Sequence, residues 1–109
     1  MMDQLIEAVT VLVEEEYKRA AAKFGPKNHS PHESYAVLLE ETEEAQEQVA
    51  VLQSRMDAFW LTVKGDATDA MGAYLNSIKK AAILGACEFI QVAAMADKAL
   101  EGYEKKEEQ

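Results

Sequence analysis

The sequence predicts an all-α protein, and three observations support this fold class. Hydrophobic residues make up 49% of the 109 residues, whereas aromatic residues make up only 7%. The chain has two prolines and five glycines, so long stretches are free of helix breakers. Apolar residues also recur at the i, i+3, i+4 spacing of amphipathic helices. At 12.1 kDa, we expect a single domain covering residues 1–109.

The first predicted helix covers residues 3–24. Its apolar residues fall on one stripe, which comprises Leu5, Val9, Leu12, Val13, Tyr17, Ala20, Ala21 and Phe24. Asp3 is a candidate N-cap, and Gly25 followed by Pro26 ends the helix.

The second helix has the best-defined start in the chain. Ser30 is a candidate N-cap, Pro31 stands at the first helical position, and Glu33 is placed to complete a capping box. No glycine or proline follows until Gly65, so this helix is predicted over residues 31–63, a length of roughly 50 Å. One small partner helix cannot cover so long an apolar face. The sequence therefore predicts a bend or an oligomer, as a homodimer or a dimer of dimers.

Two further helices complete the predicted four-helix-type bundle. Gly65 ends the second helix, and Asp66 offers a new cap with Asp69 three positions later. A short helix is predicted over residues 67–75, with Gly72 and the pair Asn76-Ser77 as break points. The last helix is predicted over residues 77–103, and residues 104–109 are expected to fray.

The charge balance narrows the classes of partner. Twenty acidic against eleven basic residues give a net charge of -9, which argues against a nucleic-acid polymer or an anionic membrane surface as partner. An acidic excess suits divalent cations. The single cysteine, Cys87, lies in an apolar stretch and is predicted to be a small core residue. The acidic start of the chain does not match a signal peptide, so a cytoplasmic location is expected.

Three carboxylates are placed where two helices could bring them together. Glu88 falls in the middle of the apolar stripe of the last helix, whereas Glu41 and Glu44 lie about one turn apart at the edge of the second. If these helices pack together, the three acids form an all-oxygen site that Mg²⁺ or Mn²⁺ would prefer, with Gln91 one turn beyond Glu88. The alternative is that Glu41 and Glu44 are solvated and that Glu88 pairs with a lysine or tyrosine.

Candidate phosphate-binding residues carry a weaker signal. Lys79 and Lys80 precede Glu88 on the last helix, and His32 lies in the first turn of the second helix. No motif positions these three side chains, and solvated surface is the competing interpretation.

Two stretches of the chain resemble a known family. The residues from His32 to Glu44, with the acidic run Glu40-Glu41-Thr42-Glu43-Glu44, and those from Glu88 to Ala96 resemble the MazG-like branch of the all-α nucleoside triphosphate pyrophosphohydrolases. The similarity is greatest to short phage and prophage proteins and extends over residues 30–103.

The resemblance implies a fold, a reaction and a ligand set. In that family an ExxE motif and a later ExxD motif hold Mg²⁺ against the phosphates of the substrate. By position, Glu41 and Glu44 match the first motif and Glu88 begins the second, whereas Gln91 stands where the family has Asp. Glu40 is the additional acid, expected as a general base or a ligand of a second metal ion.

The reaction that the resemblance implies is the cleavage of a nucleoside triphosphate between its α- and β-phosphates. The products are a nucleoside monophosphate and pyrophosphate. The competing hypothesis is a non-catalytic helical assembly or regulatory protein that retains this scaffold. Its metal site would be weakened, because the amide of Gln91 supplies one neutral oxygen in place of a carboxylate.

Overall fold

The computed structural model describes residues 1–108, with side chains described as far as Tyr103. Over this range the chain forms three α-helices: α1 (Met2–Phe24), α2 (Pro31–Lys64) and α3 (Thr68–Glu108). No strand occurs within residues 1–108, so the predicted all-α class is confirmed. One chain supplies three helices and not the four that the sequence predicts.

The predicted end of α1 is confirmed, but its predicted start is not. Asp3 lies inside the first turn, and Met1 occupies the N-cap position without a side-chain hydrogen bond, so the predicted Asp3 cap is wrong. Gly25 ends the helix with a φ of 96°, a conformation that strains residues with a Cβ atom. The hydroxyl group of Tyr17 donates a hydrogen bond to the carbonyl oxygen of Pro26 at 3.0 Å and fixes the chain as it leaves α1.

The predicted N-cap of α2 is confirmed, but the carboxylate of the predicted capping box bonds to His29 and not to Ser30. The backbone N–H of Glu33 donates to Oγ of Ser30 at 3.1 Å, and the Glu33 carboxylate accepts from the backbone N–H of His29 at 3.2 Å. Pro31 lies in the first turn, where a helix has no need of its missing N–H group. The bond to Ser30 satisfies a donor that the start of a helix otherwise leaves unpaired, and the bond from His29 fixes the preceding loop.

A short turn joins α2 to α3. Gly65 follows α2 directly, and Asp66 adopts a left-handed conformation with a φ of 54°. The backbone N–H of Ala67 donates to the carbonyl oxygen of Thr62 at 3.0 Å. Because α3 begins at Thr68, Ala67 stands at the capping position, and the prediction of Asp66 as the cap is wrong by one residue.

The third helix is continuous where the sequence predicts two helices. Gly72 and the pair Asn76-Ser77 lie inside α3, so the predicted helices over 67–75 and 77–103 are one element. Glycine in a helix interior costs only about 1 kcal/mol relative to alanine, and asparagine and serine cost less. Packing against α2 outweighs this cost. The helix also extends to Glu108, beyond its predicted end, whereas Gln109 lies outside the described residues.

The helices pack unequally. The α2–α3 hairpin, consisting of α2, α3 and their connecting turn, holds most of the interhelical contacts, whereas α1 packs on α3 and makes no contact with α2 in the described chain. Among the described side chains, the buried hydrophobic ones are small except for one methionine: Ala45, Ala81, Ala94 and Met95. The molecule is elongated, with extents of 65 × 30 × 22 Å.

Two further observations concern the exposure of Cys87 and the length of apolar segments. Cys87 is exposed in the single chain, so the prediction that it is a core residue is wrong at this level of structure. None of the helices within residues 1–108 has both the length and the apolar character needed to cross a bilayer.

Candidate metal centre

The α2–α3 hairpin brings together three acidic side chains that the sequence places far apart. One carboxylate oxygen from each of Glu41, Glu44 and Glu88 lies within 4.8 Å of the other two. We call this set the acidic cluster. The predicted convergence of these residues is therefore observed. Glu41 and Glu44 lie one turn apart on α2, and Glu88 lies opposite them on α3.

Small residues allow the two helices to approach beside the acidic cluster. The side chain of Ala45, next to Glu44 in sequence, is fully buried. Gly85 lies three residues before Glu88, and a Cβ atom at Gly85 would lie only 3.7 Å from Cβ of Gln48 on α2. This close approach places the carboxylates of both helices within reach of one another.

The carboxyl groups of the acidic cluster disfavour one another's ionisation. Partial burial raises the pKa of Glu41, and the neighbouring charges of Glu44 and Glu88 raise it further. The pKa of Glu44 is raised first by desolvation, then by the charges of Glu88 and Glu40, and by a hydrogen-bond contact with the Glu88 carboxyl group. Negative charge between α2 and α3 is therefore unfavourable unless a positive charge compensates it.

This electrostatic arrangement fits a divalent cation. The donors are carboxylate oxygens alone, which is the ligand chemistry that Mg²⁺ and Mn²⁺ prefer. A cation among them would offset the repulsion that raises the pKa values of Glu41 and Glu44. Within the described side chains, neither a lysine nor a tyrosine pairs with Glu88, so the alternative that the sequence left open for this residue is not observed.

Glu40 lies beside the acidic cluster but outside its three-oxygen set. Its side chain is exposed, and its charge contributes to the raised pKa values of both Glu41 and Glu44. An exposed carboxylate beside the acidic cluster is available to accept a proton from water or to approach a second cation. Its position is compatible with the role that the sequence analysis expected.

Gln91, the fourth expected metal ligand, makes a contact with the first helix. Its Nε2 donates a hydrogen bond to Oε1 of Glu16 on α1 at 2.7 Å. The Glu16 carboxylate also pairs with Arg19, and only 14% of the Glu16 side chain is exposed. The amide nitrogen of Gln91 is thus engaged in holding α1 against α3.

Glu16 is a residue that the sequence analysis missed. Its signal was present in the helical periodicity, because Glu16 falls between Val13 and Ala20 on the apolar side of α1. A charged side chain on that side of a helix must find a polar partner when the helix packs. The sequence gives no indication that this partner is Gln91, which is 75 residues away.

The three candidate phosphate-binding residues lie apart from the acidic cluster within one chain. Lys79 precedes Glu88 by nine residues, which places it about 13 Å along α3 and on the opposite side of the helix. Lys80 is about 12 Å from Glu88 along the same axis. On α2, His32 precedes Glu41 by nine residues, which is about 13 Å along the helix and also on its opposite side. All three side chains are exposed.

Comparisons with known proteins add no relative: no family model, curated protein or solved structure matches the chain.

Proposed function

We propose that this protein is a Mg²⁺-dependent nucleoside triphosphate pyrophosphohydrolase of the MazG-like type. The observation that carries the proposal is the convergence of Glu41, Glu44 and Glu88 from two helices on one point. A cluster of carboxylates from facing helices is a recurring way for helical proteins to hold a metal ion. Glu41 and Glu44 resemble the family's ExxE motif and Glu88 the first residue of its ExxD motif, and this resemblance connects the geometry to a reaction.

The acidic cluster supplies the ligands in this proposal. Glu41, Glu44 and Glu88 would hold the cation, which when bound supplies positive charge to phosphate oxygens and acidifies a bound water. Glu41 is partly buried, whereas Glu40 beside it is exposed. The repulsion among the three carboxylates makes the metal-free arrangement unfavourable and so favours cation binding.

Glu40 is the proposed general base. A water oxygen attacks the α-phosphorus, and the proton of that water passes to the Glu40 carboxylate. The bond from the α-phosphorus to the oxygen bridging it to the β-phosphorus then breaks, and pyrophosphate leaves with the electron pair. The other product is the nucleoside monophosphate. The exposed position of Glu40 next to the cluster suits this role because water reaches it directly.

The second candidate is a non-catalytic helical assembly or regulatory protein with a weakened metal site. One observation favours it: the Gln91 amide is bonded to Glu16, so among the described residues Glu88 is the one residue of α3 in the cluster. Fewer negative ligands lower the affinity for a divalent cation. Under this hypothesis Mg²⁺ stabilises the protein without turnover.

One experiment separates the two candidates. The purified protein is titrated with Mg²⁺ or Mn²⁺, with and without a panel of ribo- and deoxyribonucleoside triphosphates, while thermal unfolding and pyrophosphate release are followed. For the enzyme we expect metal-dependent release, reduced about 100-fold or more by Glu88→Gln. Glu43→Gln is the matched control, because Glu43 is an exposed acid on α2 outside the acidic cluster.

The outcomes are distinct. Pyrophosphate release that survives Glu88→Gln unchanged would contradict the proposed site. Stabilisation by the cation without release of pyrophosphate supports the second candidate. If neither stabilisation nor release occurs at any concentration of metal and nucleotide, both candidates fail.

A further inference from the structure

We propose that the cavity beside the loop between α1 and α2 binds an organic phosphate monoester, that is, a small molecule with one phosphate group on a hydroxylated body. The cavity lies between this loop, residues 25–30, and the C-terminal part of α3, and we call it the loop pocket. Its volume is about 500 Å³, which is within the range of small-molecule sites. The residues that line it include Phe24, Lys27, Asn28, His29, Ser34 and Gly102.

The loop pocket is separate from the acidic cluster. Along α2, Ser34 precedes Glu41 by seven residues, which is about 10 Å. Along α3, Ala99 at the pocket follows Glu88 by eleven residues, which is about 16 Å. A ligand in the loop pocket therefore does not need a metal ion in the acidic cluster, and the proposal is independent of the proposed enzymatic activity.

The loop lies directly against α3 and bounds one side of the pocket. A Cβ atom at Gly102 would lie 3.6 Å from Cβ of Lys27 and 3.9 Å from the backbone oxygen of Asn28. The hydrogen bond from Tyr17 to the carbonyl oxygen of Pro26 holds the beginning of the loop. The pocket is therefore formed by the single chain before any ligand binds.

The first argument for a ligand is an unsatisfied hydrogen-bond acceptor. Nδ2 of Asn28 donates a hydrogen bond to Oγ of Ser34 at 2.9 Å, whereas the buried Oδ1 of Asn28 accepts none in the described structure. A buried acceptor without a donor is unfavourable. A small rotation of the Asn28 amide would present this oxygen to a ligand that carries a hydroxyl group. The ligand therefore needs a hydrogen-bond donor in addition to any charge.

The second argument is a local excess of positive charge. Residues 17–32 contain four basic residues and no acidic one, although the whole chain carries a net charge of -9. Arg19 pairs with Glu16, and the carboxylate of the adjacent Glu33 accepts a hydrogen bond from the backbone N–H of His29. The three remaining cations of this segment are Lys18, Lys23 and Lys27. An anion is therefore attracted to this end of the molecule.

The third argument is a buried lysine beside the pocket. Lys98 is only 6% exposed, and none of the described carboxylates forms an ion pair with it. Its ammonium group lies 5.8 Å from the centroid of the Phe24 ring, and that of Lys23 lies 5.1 Å from the same ring. A buried charge without a counter-ion is unfavourable, so an anion bound beside Phe24 would compensate it. A phosphate monoester, with a charge of about -1.5 to -2 at neutral pH, suits two ammonium groups better than a carboxylate.

The test is calorimetric titration of the purified protein in the presence of a chelator, so that no divalent cation occupies the acidic cluster. Ribose 5-phosphate is the main probe, and ribose, inorganic phosphate and gluconate each lack one of the required features. We expect ribose 5-phosphate to bind about 10-fold or more tightly than each of these three. Adenosine 5′-monophosphate is titrated in parallel. Tighter binding of this compound identifies a nucleotide as the source of the phosphate monoester, and weaker binding identifies a sugar phosphate.

Two substitutions test the assignment to the loop pocket. Asn28→Asp keeps the shape of the side chain but adds a negative charge, and Lys27→Gln removes a cation at an exposed position. Each should weaken the binding of ribose 5-phosphate about 10-fold or more. Lys18→Gln is the matched control, because Lys18 belongs to the same basic segment but does not line the pocket. Its affinity should equal that of the wild type, and circular dichroism checks that each variant is folded.

Nuclear magnetic resonance locates the bound probe. In chelator, ribose 5-phosphate should shift the backbone amide signals of residues 24–29 and 99–102 and leave those of Glu41, Glu44 and Glu88 unchanged. Glu88→Gln should bind the probe as the wild type does, because the acidic cluster takes no part. Both measurements are made without a divalent cation, so their outcome is distinct from that of the pyrophosphate assay.

Four results would overturn the proposal. The first is a wild type that binds neither ribose 5-phosphate nor adenosine 5′-monophosphate in chelator. The second is equal affinity for gluconate or inorganic phosphate, which would remove the preference for a phosphate monoester. The third is wild-type affinity in folded Asn28→Asp and Lys27→Gln variants. The fourth is a set of shifted amide signals centred on the acidic cluster.

Discussion

At the scale of single residues, Glu41 is held in a position that opposes its ionisation. Partial burial and the charges of Glu44 and Glu88 raise its pKa, so its negative charge destabilises the metal-free fold. A charged residue whose surroundings oppose its ionisation more often serves a function than stabilises the fold, because a neutral side chain would be more stable in the same place.

Removing this charge should stabilise the metal-free protein. Like charges one helical turn apart are unfavourable by about 0.2–0.5 kcal/mol, so we expect Glu41→Gln to raise the unfolding midpoint by about 1–4 °C in the presence of a chelator. The same variant should lose most of the stabilisation that Mg²⁺ gives the wild type. Thermal unfolding with and without Mg²⁺ measures both effects.

Glu43→Gln serves as the control for the same helix and the same chemical change. It lies outside the acidic cluster, so its response to Mg²⁺ should equal that of the wild type. A Glu41→Gln variant that is less stable than the wild type in chelator would contradict the inferred repulsion.

The raised pKa values also predict the direction of a pH effect. An acid with a higher pKa in the folded state than in the unfolded state binds more protons when folded, so folding becomes more favourable as the pH falls. For Glu41 and Glu44 the window lies between neutral pH and the ordinary glutamate value of 4.5. The stability difference between Glu41→Gln and the wild type should therefore shrink as the pH falls through this window.

Urea denaturation of both proteins in chelator, at several pH values from neutral to moderately acidic, measures this difference. A difference that stays constant over the window would show that Glu41 titrates alike in the folded and unfolded chains. Protons and cations compete for the same oxygens, so the stabilisation of the wild type by Mg²⁺ should weaken over the same range.

The acidic cluster could be predicted from the sequence because helical geometry alone decides which residues of one helix share a face. Glu41 and Glu44 share the edge of α2, and Glu88 interrupts the apolar stripe of α3. The bond between Gln91 and Glu16 could not be predicted, because it depends on how α1 is placed against α3. Periodicity contains no information about that placement.

At the scale of helices and turns, the sequence predicts the ends of a helix correctly where the end requires a specific type of residue. The Ser30 cap and the stop at Gly25 were both predicted, because capping hydrogen bonds and a positive φ impose specific residue types. The break expected near Gly72 and Asn76 does not occur, because these residues weaken a helix without preventing its hydrogen bonds. Only proline removes a backbone donor, and α3 contains none.

Two glycine substitutions should therefore have opposite effects. Gly72 lies within α3 with open space around the position of a Cβ atom, so Gly72→Ala should stabilise the protein by about 0.5–1 kcal/mol. Gly25 has a φ of 96°, so Gly25→Ala should destabilise it by about 1–3 kcal/mol. Urea denaturation compares the pair. A destabilising Gly72→Ala would contradict the account of α3 as a regular helix at this point.

At the scale of the whole molecule, stability is unevenly distributed. The buried hydrophobic residues lie on α2 and α3, whereas α1 contains none and packs on α3 alone in the described chain. The carboxylate of Glu16, with its bond to Gln91, is the principal polar link that holds α1 in place. A helix attached in this way opens at lower free energy than the rest of the fold.

Hydrogen exchange should resolve this difference. We expect backbone amides of α1 to exchange with deuterium faster than those around Ala45 and Ala94, and Gln91→Ala to accelerate α1 selectively. Mass spectrometry of peptide fragments gives the rates for each helix. Uniform protection across all three helices would show that α1 unfolds only together with the hairpin.

The turn at residues 65–67 has a consequence for the order in which the molecule assembles. With so short a connection, α2 and α3 can pair first beside the turn, where contacts join residues near in sequence, and then along their length towards the acidic cluster. All three acids of the cluster belong to these two helices. The cation-binding arrangement therefore requires only the pairing of α2 with α3 and can form before α1 has docked.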